Sequence, residues 1–417
     1  MADASSTAIV DPTARGIAPP LWGVVFLPGG LGMGFVTVTL GYLLSHHGVS
    51  VAAIAAMVAI YMLTNTWKFF AGPIIDTSLT PKAWYIIGIV VAALIQGSFA
   101  FIPLGLSAMP LITTLALVIG VFHMVAGTAA SAVVARTTAH EKRGSVAGWQ
   151  NCGNLGGVGL GGGLGLWLAE HAGGQGAAAL ALAALNLACI WPISMMRIPP
   201  RLAGAPAGQR IADVGRGLWA MAKTRSGVLA MIAVTIPAGL GSATSLLSSV
   251  AGDWRASADL VALVLGVATG LANLPGCILG GYLSDIFPRR IAFIWSALAF
   301  AAGEAAMALG PHTPTAFAVF GILNAVLLGV AWATVGAVIF DQLSPRAAAT
   351  VASVLSSLCN VPVVAMTALV GSVQARHGST GMLLTEAVVG AGAVMAYGLF
   401  AWLWKPAGAG VLQPAAA

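Results

Sequence analysis

The chain is expected to be an all-α integral membrane protein, with twelve transmembrane helices in two pseudo-symmetric six-helix bundles. Three observations predict this. First, only 7% of the 417 residues are charged and 59% are hydrophobic, with a mean hydropathy of +0.94. So few charges cannot cover a chain of this size in water, so its solvent must be lipid. Second, apolar runs of about 20 residues, enough to cross ~30 Å of hydrocarbon, recur along the whole chain. Third, two stretches 209 residues apart repeat one pattern: Pro28-Gly29-Gly30-Leu31-Gly32 with Asp76 following, and Pro237-Ala238-Gly239-Leu240-Gly241 with Asp285 following, each aspartate 48 residues after its proline. Two matching membrane halves suit a secondary transporter, in which two bundles rock about a site between them.

The spans are expected at roughly 21–44, 51–72, 84–104, 109–134, 145–168 and 175–195 in the first half. In the second they fall at 226–248, 258–284, 291–309, 314–340, 347–373 and 380–404. The first run is too long for a signal-peptide core and no small-x-small site follows it. Residues 1–20 therefore read as a short cytoplasmic tail, 21–195 and 226–404 as the two bundles, 196–225 as a cytoplasmic linker and 405–417 as a second tail. Within the linker, Ile211, Val214, Leu218 and Met221 recur at helical spacing, as on a helix lying at the membrane interface.

Charge sets the orientation. With both termini inside, fifteen of the eighteen Lys and Arg residues fall in cytoplasmic segments, Arg255 and Arg376 fall outside, and Lys68 lies within a span. This positive-inside bias accounts for the net charge of +6. Scattered over separate loops, the basic residues form no nucleic-acid footprint. Cys152, Cys189, Cys277 and Cys359 lie in predicted spans with no C-x-x-C pair, as packed free thiols.

The 53 glycines do not read as flexible linker, because they fall mostly inside apolar runs, where they suit close helix packing in lipid. The run Gly157-Val158-Gly159-Leu160-Gly161-Gly162 satisfies G-x-G-x-x-G. It has no preceding strand and no acidic residue at the required distance, so it reads as a smooth helix face and not a dinucleotide site.

Twelve helices, two related halves and a basic central loop together resemble the major facilitator superfamily, over the whole chain. The resemblance implies a cavity near the bilayer midplane lined by spans 1, 2, 4, 5, 7, 8, 10 and 11, with spans 3, 6, 9 and 12 as outer supports. Gly280-Gly281-Tyr282-Leu283-Ser284-Asp285-Ile286-Phe287-Pro288-Arg289-Arg290 is similar to that superfamily's loop motif, here in the second half. Its glycines permit close helix approach. Asp285, at a helix end, can face another helix's positive N-terminus. Asp285, Arg289 and Arg290 are expected to latch the cytoplasmic side, with Asp76 as the first-half counterpart and Arg136 and Arg346 as partners by position.

Lys68-Phe69-Phe70-Ala71-Gly72-Pro73-Ile74-Ile75-Asp76 resembles the K-F/L-x-W-x-P-x-x-D stretch of the peptide–acetyl-CoA transporter branch, which holds AmpG-like muropeptide permeases and siderophore permeases. Lys, Pro and Asp are in register; Ala71 replaces the usual aromatic. Gly162 to Glu170 is similar to the end of that branch's fifth helix. The branch implies a muropeptide, siderophore or acyl-CoA-like solute.

Lys68 inside a span is a functional candidate by default: it can bind an anionic group of the cargo, snorkel to the interface, or pair with Asp76. Amide, indole and phenol groups on cavity-class helices suit a polar cargo, and Tyr61, Trp149, Gln150, Asn154 and Asn360 are the expected substrate-binding set beside Lys68. His123 is the candidate proton carrier, being a mid-span histidine with an intrinsic pKa near neutrality. Glu304 and Glu386 are the carboxylates well inside spans. Their place on outer spans 9 and 12, toward the periplasmic end, weighs against a coupling role. Pro28 and Pro237 are expected to break spans 1 and 7 as hinges.

The expected function is a secondary active transporter of the bacterial inner (plasma) membrane, taking up a small organic solute with protons as a monomer. An exporter of drugs or metabolites is the alternative. No cofactor or metal is expected. No H-E-x-x-H, G-x-S-x-G or intramembrane aspartate pair supports an enzyme, and no nucleotide-binding loop supports an ATP-driven pump.

Overall fold

The computed structural model describes residues 16–198, 207–239, 241–344 and 347–404. Arg346, much of the N-terminal tail, the C-terminal tail and part of the linker lie outside the described residues. Among the described residues, nine helices are long and apolar enough to cross a membrane. They resolve into twelve spans for physical reasons. Span 5 (Arg143–Gly159, Leu160–Leu164 and Gly165–His171) is diluted by glycines and amides. Span 7 is cut into Arg225–Thr235 and Ser242–Val250. Spans 11 and 12 run on through Ala348–Leu403, with Gly378 at φ 68° marking the turn between them. The other spans are Pro19–His46 (1), Val51–Thr77 (2), Pro81–Ser98 (3), Met109–Thr137 (4), Gly174–Ser194 (6), Asp259–Ile286 (8), Arg289–Leu309 (9) and Pro314–Asp341 (10).

Helix starts follow ordinary capping chemistry. Ser50, Thr80, Thr224 and Thr313 each accept a backbone N–H from the first turn of spans 2, 3, 7 and 10, satisfying donors that helix geometry leaves free. Basic residues cap the opposite termini. Lys82 donates to Ser194 O and Met196 O at the end of span 6, and Arg225 donates to Ala401 O near the end of span 12. Such cations also suit the negative ends of helix dipoles.

Spans 1 and 5 pack backbone to backbone. A methyl added at Gly30 would overlap Asn154 O, one at Gly157 would overlap Leu27 O, and one at Gly161 would overlap Leu31 O. The apparent dinucleotide motif is thus a helix-contact face. Near one end of this seam both helices widen into π-turns, Phe35–Leu40 and Leu160–Leu164. Thr39 Oγ1 joins them by donating to Gly161 O (2.8 Å) and Gly162 O (3.1 Å).

Two proline expectations separate here. Pro28 does not break span 1: the helix Pro19–Gly34 runs through it, because the seam with span 5 holds the backbone straight. Tyr85 Oη reaches Val25 O (2.8 Å) nearby, offering a hydrogen bond in the stretch where proline removes one. At Pro237 the chain leaves the helix, with Gly239 at φ 69° and Gly241 at φ 74°.

The helix Ala207–Lys223 packs against the last half of span 2 and the first half of span 11. Val214 and Met221 are buried and Leu218 packs on the core, whereas Ile211 is exposed. Three residues of the expected stripe therefore face protein across the junction of the two halves.

Candidate functional site

A cavity of about 1350 Å³ lies between the halves. Its wall is drawn mainly from spans 1, 2, 4, 5, 8 and 11. Among the described residues, spans 7 and 10 contribute no lining residue, against the resemblance's expectation. Span 10 is packed onto spans 5 and 8, and the second half of span 7, Ser242–Val250, reaches span 12 through Glu386.

Span 2 lends the wall Tyr61, Thr64, Asn65 and Lys68. Its first helix ends at Leu63, tightens through Thr64–Trp67 with i→i−3 hydrogen bonds, and restarts at Lys68. Thr64 and Thr66 hydroxyls bond back to Tyr61 O and Leu63 O, so local side chains compete with the helical ladder. Asn65 O is taken by Asn360 Nδ2 at 3.2 Å. The restart presents Lys68 to the cavity. Lys68 has no hydrogen-bond or ion-pair partner among the described residues, and no Asp or Glu lines the cavity.

Tyr61, Lys68, Gln150, Asn154 and His123 all line the wall. Gln150 Oε1 and Asn273 Oδ1 are buried acceptors without a partner, available to a polar solute or water. His123 packs against Gly32 and lies beside Asn186. Two expected residues fall elsewhere. Trp149, about 100° around the helix from Gln150, packs its ring onto Gly23 of span 1. Asn360 spends its amide on Asn65 O and Ser356 O where spans 2 and 11 meet. Ser131, Thr269 and Ser353 line the wall but carried no sequence signal, since small hydroxyls are equally common in helix packing.

The halves meet at one end only. All substantial contacts between them join spans 2, 4 and 5 to spans 8, 10 and 11. Glycines again allow it: a methyl at Gly72 would overlap Ser353 Oγ, and one at Gly281 would lie 2.8 Å from Gly144 O. Two carboxylates cross this seam in matching ways. Asp76 accepts from Thr350 N (2.8 Å) and Thr350 Oγ1 (2.9 Å), capping span 11. Asp285 accepts from Ser145 N (2.9 Å) and from Ser145 Oγ, capping span 5. Each closes its partner half's helix N-terminus, where negative charge is favoured.

Basic groups complete the closed end. Arg289 pairs with Asp341 and donates to His140 O, while His140 Nε2 lies 2.8 Å from Asp341. Arg143, which by position could partner the latch aspartates or anchor the membrane boundary, is buried and instead donates to Phe340 O (2.9 Å) and Leu343 O (3.0 Å) at the end of span 10. Arg136 lies close enough to Asp76 to act on its charge. Arg290 instead donates to Ser226 Oγ within its own half; one residue beyond Arg289, it faces span 7 and not the seam.

A two-fold helical bundle with a central cavity and charged closure is a transporter's architecture. The family model of the Major Facilitator Superfamily matches residues 22–249, more than half of the chain. The chain belongs to the major facilitator superfamily. It is a membrane transporter, not an enzyme. Solved structures agree in fold. The superfamily's proton:xylose symporter XylE, bound to 6-bromo-6-deoxy-D-glucose, superposes with a TM-score of 0.69 at 14% identity, covering 93% of this chain and 95% of that one. The human organic anion transporter MFSD10 (TETRAN) gives 0.67 at 16%, covering 91% and 100%. The E. coli fucose:proton symporter FucP gives 0.64 at 15%, covering 92% and 97%. No curated protein sequence matches the chain. Within the superfamily's frame, nothing among the described residues groups three or more potential metal ligands.

Proposed function

We propose that this transporter moves a small organic anion across the bacterial inner membrane by alternating access, taking it up with protons as a monomer. The observation that carries the reading is Lys68, a cation without a partner in a cavity wall that holds no carboxylate. An unpaired charge at membrane depth is costly, and an anionic solute group would offset that cost. The volume exceeds the ~300–1000 Å³ of drug-sized pockets, leaving room for an organic solute with water. Unpartnered Gln150 Oε1 and Asn273 Oδ1 would receive N–H or O–H groups of the same solute.

The positive-inside bias supports a cytoplasmic basic end and cytoplasmic termini. The bundles 21–195 and 226–404 would then rock about the cavity, with Asp76, Asp285, Arg136 and Arg289 holding the cytoplasmic side shut in the conformation described here. Lys68, Pro73 and Asp76 keep the peptide–acetyl-CoA branch as the favoured subgroup. Of its cargoes, muropeptides carry carboxylates and acyl-CoA species carry phosphates, so both are anionic. His123, on the wall beside Asn186, remains the cavity's candidate proton carrier.

The test is thermal melting of purified protein with anhydro-muropeptides, ferric siderophores, acyl-CoA species and cationic drugs. A ligand at a hundredfold excess over its Kd adds about 2.7 kcal/mol. One anionic class is expected to raise the melting temperature. Lys68→Gln should weaken that ligand about ten- to a hundredfold, the range of a lost charge-assisted hydrogen bond. A shift from cationic drugs alone would overturn the reading.

A further inference from the structure

Away from the cavity, a second polar site is buried among spans 7, 9, 10 and 12. Glu304 of span 9 is 0% exposed and Glu386 of span 12 is 2% exposed, and their carboxyls face each other. Glu386 Oε1 accepts from Ser242 N at 2.9 Å and its Oε2 accepts from Ala243 N. Those are the first N–H groups of Ser242–Val250, the helix that restarts span 7 after its break. No other described residue offers a hydrogen bond to either Glu304 oxygen. Buried Asn324 Oδ1 and Ser242 Oγ nearby also lack partners, and Gly303 is left bare because a side chain there would meet Asn324.

The two carboxyls have different environments. Glu386 receives two backbone donors at a helix N-terminus, the arrangement that stabilises a carboxylate. Glu304 has only another carboxyl to face. Two facing carboxylates this deeply buried cannot both stay charged. A proton on Glu304 turns repulsion into a hydrogen bond donated to Glu386.

No other titratable group competes. Asp253, Arg255, Asp259, His312, Arg376 and His377 sit exposed at this end of the molecule. His312 stacks on Trp254 and lies 3.4 Å from Thr380. On span 9 the next charge is Arg290, roughly 20 Å away by helical rise. On span 10 it is Asp341, farther still, and on span 12 the next titratable group is Tyr397, roughly 16 Å along.

We infer that Glu304 and Glu386 form a single-proton site, separate from the solute cavity, that holds the outer half of span 7 in place and couples proton binding to its movement. The inference rests on the alternating-access reading. Gly239 and Gly241, both in the left-handed region, supply the hinge. With one proton the pair is closed and Glu386 caps Ser242–Val250. Losing that proton makes the carboxyls repel, frees the cap and lets the half-helix swing, which exposes the pair to solvent for reloading. Proton binding therefore favours the conformation with the basic end closed, and raising pH moves the population away from it.

Two measurements test this. Infrared spectra of the wild type at neutral pH should contain a protonated-carboxyl band, absent in Glu304→Gln. A wild-type spectrum without the band overturns the inference whatever the variant does. Spin labels at His47→Cys and Gly252→Cys, on loops of the two halves at the open end, should report a distance that shortens as pH rises. A one-proton transition changes the population ratio about tenfold per pH unit. Glu304→Gln should abolish the shift while keeping the long distance. An unchanged pH response in Glu304→Gln, or fixed distances in the wild type, overturns the coupling. In the latter case Gly281→Val, which wedges the closed end, tells whether alternating access falls too: distances that move in this variant leave it standing.

Discussion

Spans 1 and 7 carry nearly the same words, Pro-Gly-Gly-Leu-Gly and Pro-Ala-Gly-Leu-Gly, yet one is a continuous helix and the other is broken. The difference lies in what surrounds them. Span 1 is pressed onto the span 5 backbone, so a departure from helix would collide with Asn154 and Gly157. At span 7 the glycines meet side chains of span 10, Ala331 and Leu328, and not a facing backbone, and Glu386 satisfies the N–H groups its break frees. In lipid a backbone can leave the helix only where freed groups find protein partners. A proline therefore proposes a break, and the neighbours accept or refuse it.

Three variants would break or sharpen that contrast. Gly30→Leu should have the largest effect, because even its Cβ overlaps Asn154 O. Overpacking commonly costs about 1–3 kcal/mol, and a backbone collision of this kind should go beyond it, read as loss of monodisperse protein. Next comes Glu386→Leu, which leaves the Ser242 and Ala243 amides buried without acceptors. A stability loss of about 1–3 kcal/mol per unsatisfied group should show in thermal melting, with faster amide exchange confined to the restart of span 7. Smallest is Pro28→Ala. Because span 1 is already helical through this site, stability should not fall, and solute affinity should change only modestly, through the lost wall contact of Pro28. A large loss of binding with Pro28→Ala would restore the hinge role expected of it.

Much of the architecture was legible because hydropathy reports burial in lipid directly, and because the 209-residue offset aligns Pro28 with Pro237 and Asp76 with Asp285. Discontinuities were less legible. The interruption at Thr64–Trp67 hides in an apolar run, since hydropathy sees composition and not hydrogen bonding; the Thr-Asn-Thr sequence was the available signal. Asp285 was readable as a carboxylate suited to a helix N-terminus, but not that Ser145 of the other half would supply it. Trp149 and Gln150 were inseparable without the helix's rotation. The Glu304–Glu386 pair was invisible as a pair because its members are 82 residues apart on spans that resemblance assigns to support.

Lys68 also has an electrical meaning. An inside-negative potential opposes an anion's entry by about 2.3 kcal/mol per charge per 100 mV. A monoanion accompanied by one proton crosses electroneutrally, and a second proton would let the voltage pull the pair inward. The lysine's own charge moves little if the bundles rock about it near the midplane. Under the proposed proton-coupled uptake, the number of protons carried per solute decides whether membrane voltage drives this transporter or leaves it indifferent.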